Sequence, residues 1–193
     1  MDWNKLKFTK LDSEIMEFLF KNPTTSFMGK EIANRVKVSQ TAVAKSISRL
    51  SKIGLVNREK KIVLSIKLNR DNKDLFDLKR VYNLKNIYSS EIIGELSKDF
   101  PGSTIILFGS YSSGEDTEES DIDLAVIGYK EKKIGLIKFE NKFQRKIQIH
   151  YFNNLKNIEK NLRESIINGI TLKGSIAIWK TLKNIWKKEL LKV

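Results

Sequence analysis

Asp121 and Asp123 sit one residue apart at the head of an apolar run that ends at Ile127. In an extended strand, residues i and i+2 project to the same face. The spacing therefore places the two carboxylates side by side, with Ile122 and Leu124 turned the opposite way into a core. Two carboxylates held that close repel each other unless a cation lies between them. Twelve residues before Asp121, a second apolar run, Thr104 to Phe108, ends abruptly in Gly109-Ser110. A Gly-Ser turn offers bare backbone N–H groups and a hydroxyl, a combination suited to a phosphate. These residues together imply a site for a metal ion and a phosphate.

Positioning such a site takes two neighbouring strands with a polar loop between them. That loop is concentrated in charge: Glu115, Asp116, Glu118, Glu119, Asp121 and Asp123 are acidic, and no basic residue lies among them. The surroundings are the reverse. The 193-residue chain carries a formal charge of +13, a field that favours polyanions such as nucleic acid or nucleotides. Part of the excess falls in residues 1–70, which hold 15 Lys/Arg against 6 Asp/Glu. Hydrophobic residues make up 40% of the chain, enough to bury a core. Cysteine is absent, which excludes disulfides and thiolate–zinc sites and makes a cytoplasmic location the simplest expectation. No apolar run reaches the ~18 residues of a membrane span, so no membrane partner is expected. The first residues lack the apolar segment of a signal peptide.

The N-terminal segment reads as three helices followed by a hairpin. Thr9 and Asp12 form a capping-box-like start to a helix with Leu11, Ile15, Phe18 and Leu19 at helical spacing, ending near Asn22-Pro23. A second helix runs from about Met28 to Val36. Ser39 caps a third, in which Val43, Ile47 and Leu50 face the core and Gly54 supplies the left-handed end. Leu55-Val56 and Ile62–Ile66 read as strands joined by the basic turn Asn57–Lys61. The run from Gly29 through Gln40-Thr-Ala-Val-Ala-Lys45 to Gly54-Leu-Val56 resembles the winged helix-turn-helix domain. That resemblance covers about residues 9–69 and implies binding of double-stranded DNA. It implies that Gln40, Thr41, Ala44, Lys45, Ser48 and Arg49 approach the major groove, and that Arg58, Lys60 and Lys61 track phosphates.

The polar stretch Asn69–Asp74 marks a domain boundary. Beyond it, Leu75, Leu78, Val81, Tyr82, Leu84, Ile87 and Ile92 to Leu96 form a broad apolar stripe on one long helix or two successive ones. Such a stripe packs on both domains or on a second subunit, the latter making a homodimer. Asp99–Gly102 then turns the chain into the first strand of the candidate site. Further on, Ile134 to Arg145 reads as a helix, Lys146–Phe152 as a strand and Asn153–Asn168 as another helix. On the strand, Ile147 and Ile149 face one way while Gln148 and His150 face the other. Trp179, Leu182, Ile185, Trp186 and Leu190 fit a final amphipathic helix with a Lys-rich face.

The segment Leu107-Phe-Gly-Ser-Tyr-Ser-Ser-Gly114, followed by Ser120-Asp-Ile-Asp-Leu-Ala-Val126, resembles the signature of the minimal DNA-polymerase-β-type nucleotidyltransferases. Asn168-Gly169 and the short apolar run after it resemble the end of such domains. The resemblance implies an α+β protein with three parts: a winged helix over 1–70, a helical connector over 71–100, and a nucleotidyltransferase fold over 101–193, its mixed β-sheet flanked by helices. It implies that Gly109 and Ser110 bind the phosphates of a nucleoside triphosphate, and that Asp121 and Asp123 are catalytic and bind Mg2+. Magnesium takes hard oxygen ligands, commonly a few carboxylates together with substrate phosphates.

The family places a third carboxylate on the strand after the following helix, and the matching slot here is Gln148. A neutral amide oxygen is a poor magnesium ligand, and the missing carboxylate is the natural acceptor for the attacking hydroxyl's proton. The resemblance therefore implies a transferase with weakened or lost activity. His150, the only histidine, is either a substitute base or a half-buried strand residue. Two functions stay open. One is a Mg2+-dependent nucleotidyltransferase that moves a nucleoside monophosphate to a macromolecular hydroxyl, including that of a protein acceptor as in antitoxin-like members. The other is a DNA-binding transcriptional regulator whose degenerate domain senses nucleotide. A tRNA-modifying enzyme is a third, disfavoured by the short chain.

Overall fold

A computed structural model describes residues 7–60, 64–156 and 158–176. It is an α+β protein whose eight described helices and seven strands run α1 (Lys10–Lys21), β1 (Phe27–Met28), α2 (Gly29–Val36), α3 (Gln40–Lys52), β2 (Val56–Lys60), β3 (Leu64–Leu68), α4 (Lys73–Ser89), α5 (Ile92–Asp99), β4 (Thr104–Phe108), α6 (Gly109–Ser113), β5 (Ile122–Ile127), α7 (Ile137–Phe143), β6 (Ile147–Phe152), α8 (Lys160–Ile167) and β7 (Ile170–Lys173). Among the described residues no helix is long and apolar enough to cross a membrane.

In the N-terminal half the helix starts are chemically specified. Thr9 Oγ1 accepts from the Asp12 amide, and the Asp12 carboxylate accepts from the Thr9 amide at 2.9 Å, a complete capping box. Ser39 caps α3 through its bond from the Ala42 amide. The strands form an antiparallel sheet of order β1-β3-β2, and Ile15, Leu19, Ile32, Val43, Ile47 and Leu55 are buried between helices and sheet. The stretch Asn57–Lys60, expected as a basic turn, continues β2 instead. Asn57 pairs with Lys67, and Glu59 with Ser65, while Glu59 forms an ion pair with Lys67. Such cross-strand pairs let a charged sequence remain extended on a solvated face. Lys61 and the side chain of Lys60 lie outside the described residues.

The connector is two helices. The chain breaks at Glu91, which adopts a left-handed conformation with φ 70°. Along α4, Leu75 and Tyr82 join the N-terminal core while Ile87 joins the second core. The helix therefore belongs to both, as its broad apolar stripe implies.

The second sheet has order β6-β5-β4-β7, with β5 and β6 parallel and the other pairs antiparallel. Ile105, Leu107, Ile122, Leu124 and Val126 pack on one face with Leu96, Phe100, Tyr111 and Phe139. Ile106, Phe108 and Ala125 pack on the opposite face with Ile158 and Ile166. The strand alternation thus puts Asp121 and Asp123 on the same side as Ala125, away from the larger core. Two helices are shorter than their apolar spacing predicts. Gly135 interrupts the first turns expected of α7, where glycine is costly. Before α8, Asn154 Oδ1 accepts from the Lys156 amide at 2.9 Å, a local turn that competes with helix. The final amphipathic helix expected around Trp179–Leu190 lies outside the described residues.

Candidate nucleotide and metal site

The site lies where β4 hands over to α6 and where β5 begins. Phe108, the last residue of β4, is the ladder partner of Asp123. The next residue, Gly109, has φ 72°, a left-handed conformation that favours glycine. It has a second reason to lack a side chain: a Cβ there would come within 2.6 Å of Asp123 Oδ2. Glycine thus lets the carboxylate lie directly against the turn. Ser110 is half-buried in the first turn of α6, and Ser112 Oγ donates to the Gly109 carbonyl at 2.7 Å, tying the turn to its own helix.

Asp121 precedes β5 and Asp123 is its second residue; both are half-buried. Their neighbours come from β6, in parallel register, where Asp123 faces Gln148 and Ala125 faces His150. Gln148 Nε2 donates to Asp121 Oδ2. His150 Nε2 lies 3.3 Å from Asp123 Oδ1, and its ring meets Phe108 edge-on with centroids 5.2 Å apart. His150 is therefore a half-buried strand residue that also has a carboxylate partner, a contact the sequence did not reveal. Among the described residues no group of three or more His, Cys, Asp or Glu is placed to hold a metal ion. Two hard carboxylates would suit one magnesium ion, with its remaining positions left to other oxygen ligands. They fit a second ion poorly, because the neighbouring strand presents an amide.

Not every acid of the loop serves this face. Asp116 is fully buried and pairs with Lys79 Nζ. It also accepts from Asn83 Nδ2 at 2.8 Å. Arg145 Nη2 approaches Asp116 Oδ2 at 3.1 Å, close enough for charge attraction but outside hydrogen-bond alignment, which leaves that oxygen without a hydrogen bond. Burial draws the Lys79 ammonium down to about 8 from its ordinary value, with the Asp116 charge opposing that fall. Burial likewise pushes the Tyr111 phenol well up. Lys79 and Asn83 stand four residues apart on α4, within an otherwise apolar stripe. That break in the pattern is the sequence signal for a buried polar partner. The connector packs so tightly on this region that a Cβ at Gly114 would come within 2.3 Å of the Phe76 carbonyl oxygen, so Gly114 is also a helix-packing glycine.

In the N-terminal half, Gln40, Thr41, Ala44 and Lys45 are exposed along α3, Ser48 is half-buried and Arg58 is exposed on β2. Arg49 is half-exposed and already engaged: its Nη2 is 2.8 Å from Asp12 Oδ1, and its Nε donates to Oδ2 at 3.3 Å. Ser46 donates to the same carboxylate from the buried side. Burial pushes Asp12 upward, but the bonds from Arg49, Ser46 and Thr9 outweigh it and hold the carboxyl at about 2.

Among curated proteins, none matches the chain. A solved structure of a single-substitution mutant of Lactococcus lactis ZitR is similar at 17% identity and a TM-score of 0.37, covering 50% of this chain and 64% of that one; so loose a likeness carries no argument. The chain spans less than two thirds of that protein. A family model described as nucleotidyltransferase domain matches residues 89–190, more than half of the chain and the whole of the site described above. The protein belongs to the nucleotidyltransferase domain family.

Proposed function

We propose that the protein is a Mg2+-dependent nucleotidyltransferase that moves a nucleoside monophosphate from a nucleoside triphosphate to a macromolecular hydroxyl, and that residues 1–70 form a winged helix that binds double-stranded DNA. The observation that carries the first part is the convergence of the Asp123 carboxylate on the bare backbone of Gly109. A phosphate turn and a metal-binding carboxylate in contact are what a metal-bound triphosphate needs.

In this reading Asp121 and Asp123 would hold the magnesium ion, whose chemistry is to neutralise the triphosphate and stabilise the oxygens of the displacement. Gly109 leaves room for the Asp123 carboxylate, and the Gly109-Ser110 turn would hold a phosphate, with the Ser110 hydroxyl donating to it. His150, whose Nε2 lies 3.3 Å from Asp123 Oδ1, would be the group that accepts the proton of the attacking hydroxyl. Gln148 holds Asp121 in place in the absence of metal. The DNA-binding part rests on the three helices and hairpin, and on the exposed Gln40, Thr41, Lys45 and Arg58.

One observation favours a second reading. The Gln148 amide donates to a metal-binding oxygen of Asp121, and β6 supplies no acid. A regulator that binds DNA and senses nucleotide without turnover would tolerate that arrangement. The two are separated by measuring pyrophosphate release with each of the four nucleoside triphosphates. The transferase reading expects Mg2+-dependent release that Asp121→Ala or Asp123→Ala abolishes. Absence of release with any nucleotide or acceptor, while duplex binding persists, establishes the second reading instead.

A further inference from the structure

Glu118 lies in the loop between α6 and β5, three residues before Asp121, yet its carboxylate serves the other half of the molecule. It accepts from the Thr24 amide at 3.0 Å and the Thr24 hydroxyl at 2.6 Å. It accepts from the Thr25 amide at 3.1 Å and the Thr25 hydroxyl at 2.9 Å. Burial raises the Glu118 carboxyl, but these bonds outweigh it and hold it below its ordinary value. Four donors on one carboxylate form a specific, charge-assisted clamp.

Among the described residues, the clamp is one of two ties that run from the N-terminal sheet to this loop. Thr25 lies two residues before β1, which pairs with β3 through Phe27 and Ile66. At the far end of β3, two residues past Leu68, Arg70 donates to the carbonyls of Glu115 at 2.9 Å and Asp116 at 3.4 Å. Two paired strands of one sheet thus both end on the loop that carries Asp121. On its other side the loop is held by Arg145, which donates to the Ser120 carbonyl at 3.0 Å. The position of Asp121 is therefore fixed partly from within the second domain and partly by the N-terminal sheet.

We propose that Glu118, with Thr24 and Thr25, is a positioning contact that couples DNA occupancy of the N-terminal half to Mg2+–nucleotide occupancy of the site. The inference rests on the functional reading above. A duplex that shifts β2 and β3 shifts the two strand ends that hold the loop. By linkage the effect is reciprocal: nucleotide changes duplex affinity by the same factor.

The test uses the full chain in isothermal titrations with Mg2+ and ATP, GTP, CTP and UTP in turn, without and with a saturating mixed-sequence DNA duplex at low salt. The expected result is a shift in nucleotide Kd of about fivefold or more on adding duplex. In Glu118→Ala the shift falls below about twofold although each ligand alone still binds. Thr24→Val with Thr25→Val weakens the shift, and Thr24→Ser with Thr25→Ser preserves it, because serine keeps both hydroxyl donors. Equal nucleotide affinity with and without duplex in the wild type overturns the coupling alone, as does a full shift in Glu118→Ala. Failure of every nucleotide to bind overturns the underlying reading and this inference with it.

Discussion

Replacing Gln148 by glutamate restores a third carboxylate opposite Asp123 and removes the amide that donates to Asp121. A hydrogen bond to a charged group is worth about 1.5–3 kcal/mol, and the exposure of Gln148 puts this one near the lower end. Like charges about 4 Å apart repel by about 1 kcal/mol in water and about 4 kcal/mol at an effective dielectric of 20; the exposed position favours the smaller figure. The metal-free variant should therefore lose about 2–3 kcal/mol, a fall of roughly 4–12 °C in Tm for a chain of this size. Magnesium reverses the sign, because the cation relieves the repulsion and gains an oxygen ligand. Its affinity should rise about tenfold, equivalent to about 1.4 kcal/mol. Thermal unfolding across a Mg2+ titration reads both effects, and pyrophosphate release should increase alongside. A variant that melts at the wild-type temperature without metal and shows no lower Mg2+ midpoint would refute the placement of Gln148 against Asp121 and Asp123.

The remaining predictions concern stability and the N-terminal half proposed to bind DNA. Lys79→Met leaves the buried Asp116 with Arg145 and Asn83 alone, and should cost about 3 kcal/mol in urea unfolding; a loss under about 1 kcal/mol would mean that the pair is dispensable. Asp12, held at about 2 against 3.8 in an unfolded chain, contributes stability that is complete above about pH 4 and disappears as pH falls through 2. Discounted for the half-exposed Arg49, that contribution is about 1–2 kcal/mol. Asp12→Asn should remove this acid-dependent part, and an unchanged pH profile would contradict the assignment. Duplex binding should weaken steeply with salt, and Arg58→Gln, which removes a cation proposed to track phosphate, should reduce the slope by about one. Salt-insensitive or absent binding would remove the DNA proposal.

The candidate site was legible because its chemistry is local. Asp121 and Asp123 declare a shared face by spacing alone, and Gly109-Ser110 declares a turn. The caps Thr9, Asp12 and Ser39 were legible for the same reason, since each acts within four residues. Contacts that close long loops were not. Asp116 reads as one more acid of a cation loop, and only the fold shows it buried 37 residues away from Lys79 in the chain. Glu118 and Thr24 meet across 94 residues, and nothing in either neighbourhood announces the other. Arg49 reads as a groove-facing cation because its helix position is exposed; its bonds to Asp12 depend on how α1 lies against α3. Apolar spacing overreached at Ile134–Leu136 and at Asn153–Lys156. There the side chains reach a core without helix, Gly135 breaking one segment and the Asn154 turn the other.

Asp121, Asp123 and the Gly109 turn are proposed above to bind a magnesium-bound nucleoside triphosphate. Titration calorimetry of the full chain with each nucleoside triphosphate, in magnesium and in chelator, tests this most directly. The predicted result is saturable binding of at least one nucleotide only with magnesium. That binding should vanish in Asp123→Ala and in Gly109→Ala, where a methyl would collide with the Asp123 carboxylate. Binding that is indifferent to magnesium, or that survives both substitutions in a folded protein, would contradict it.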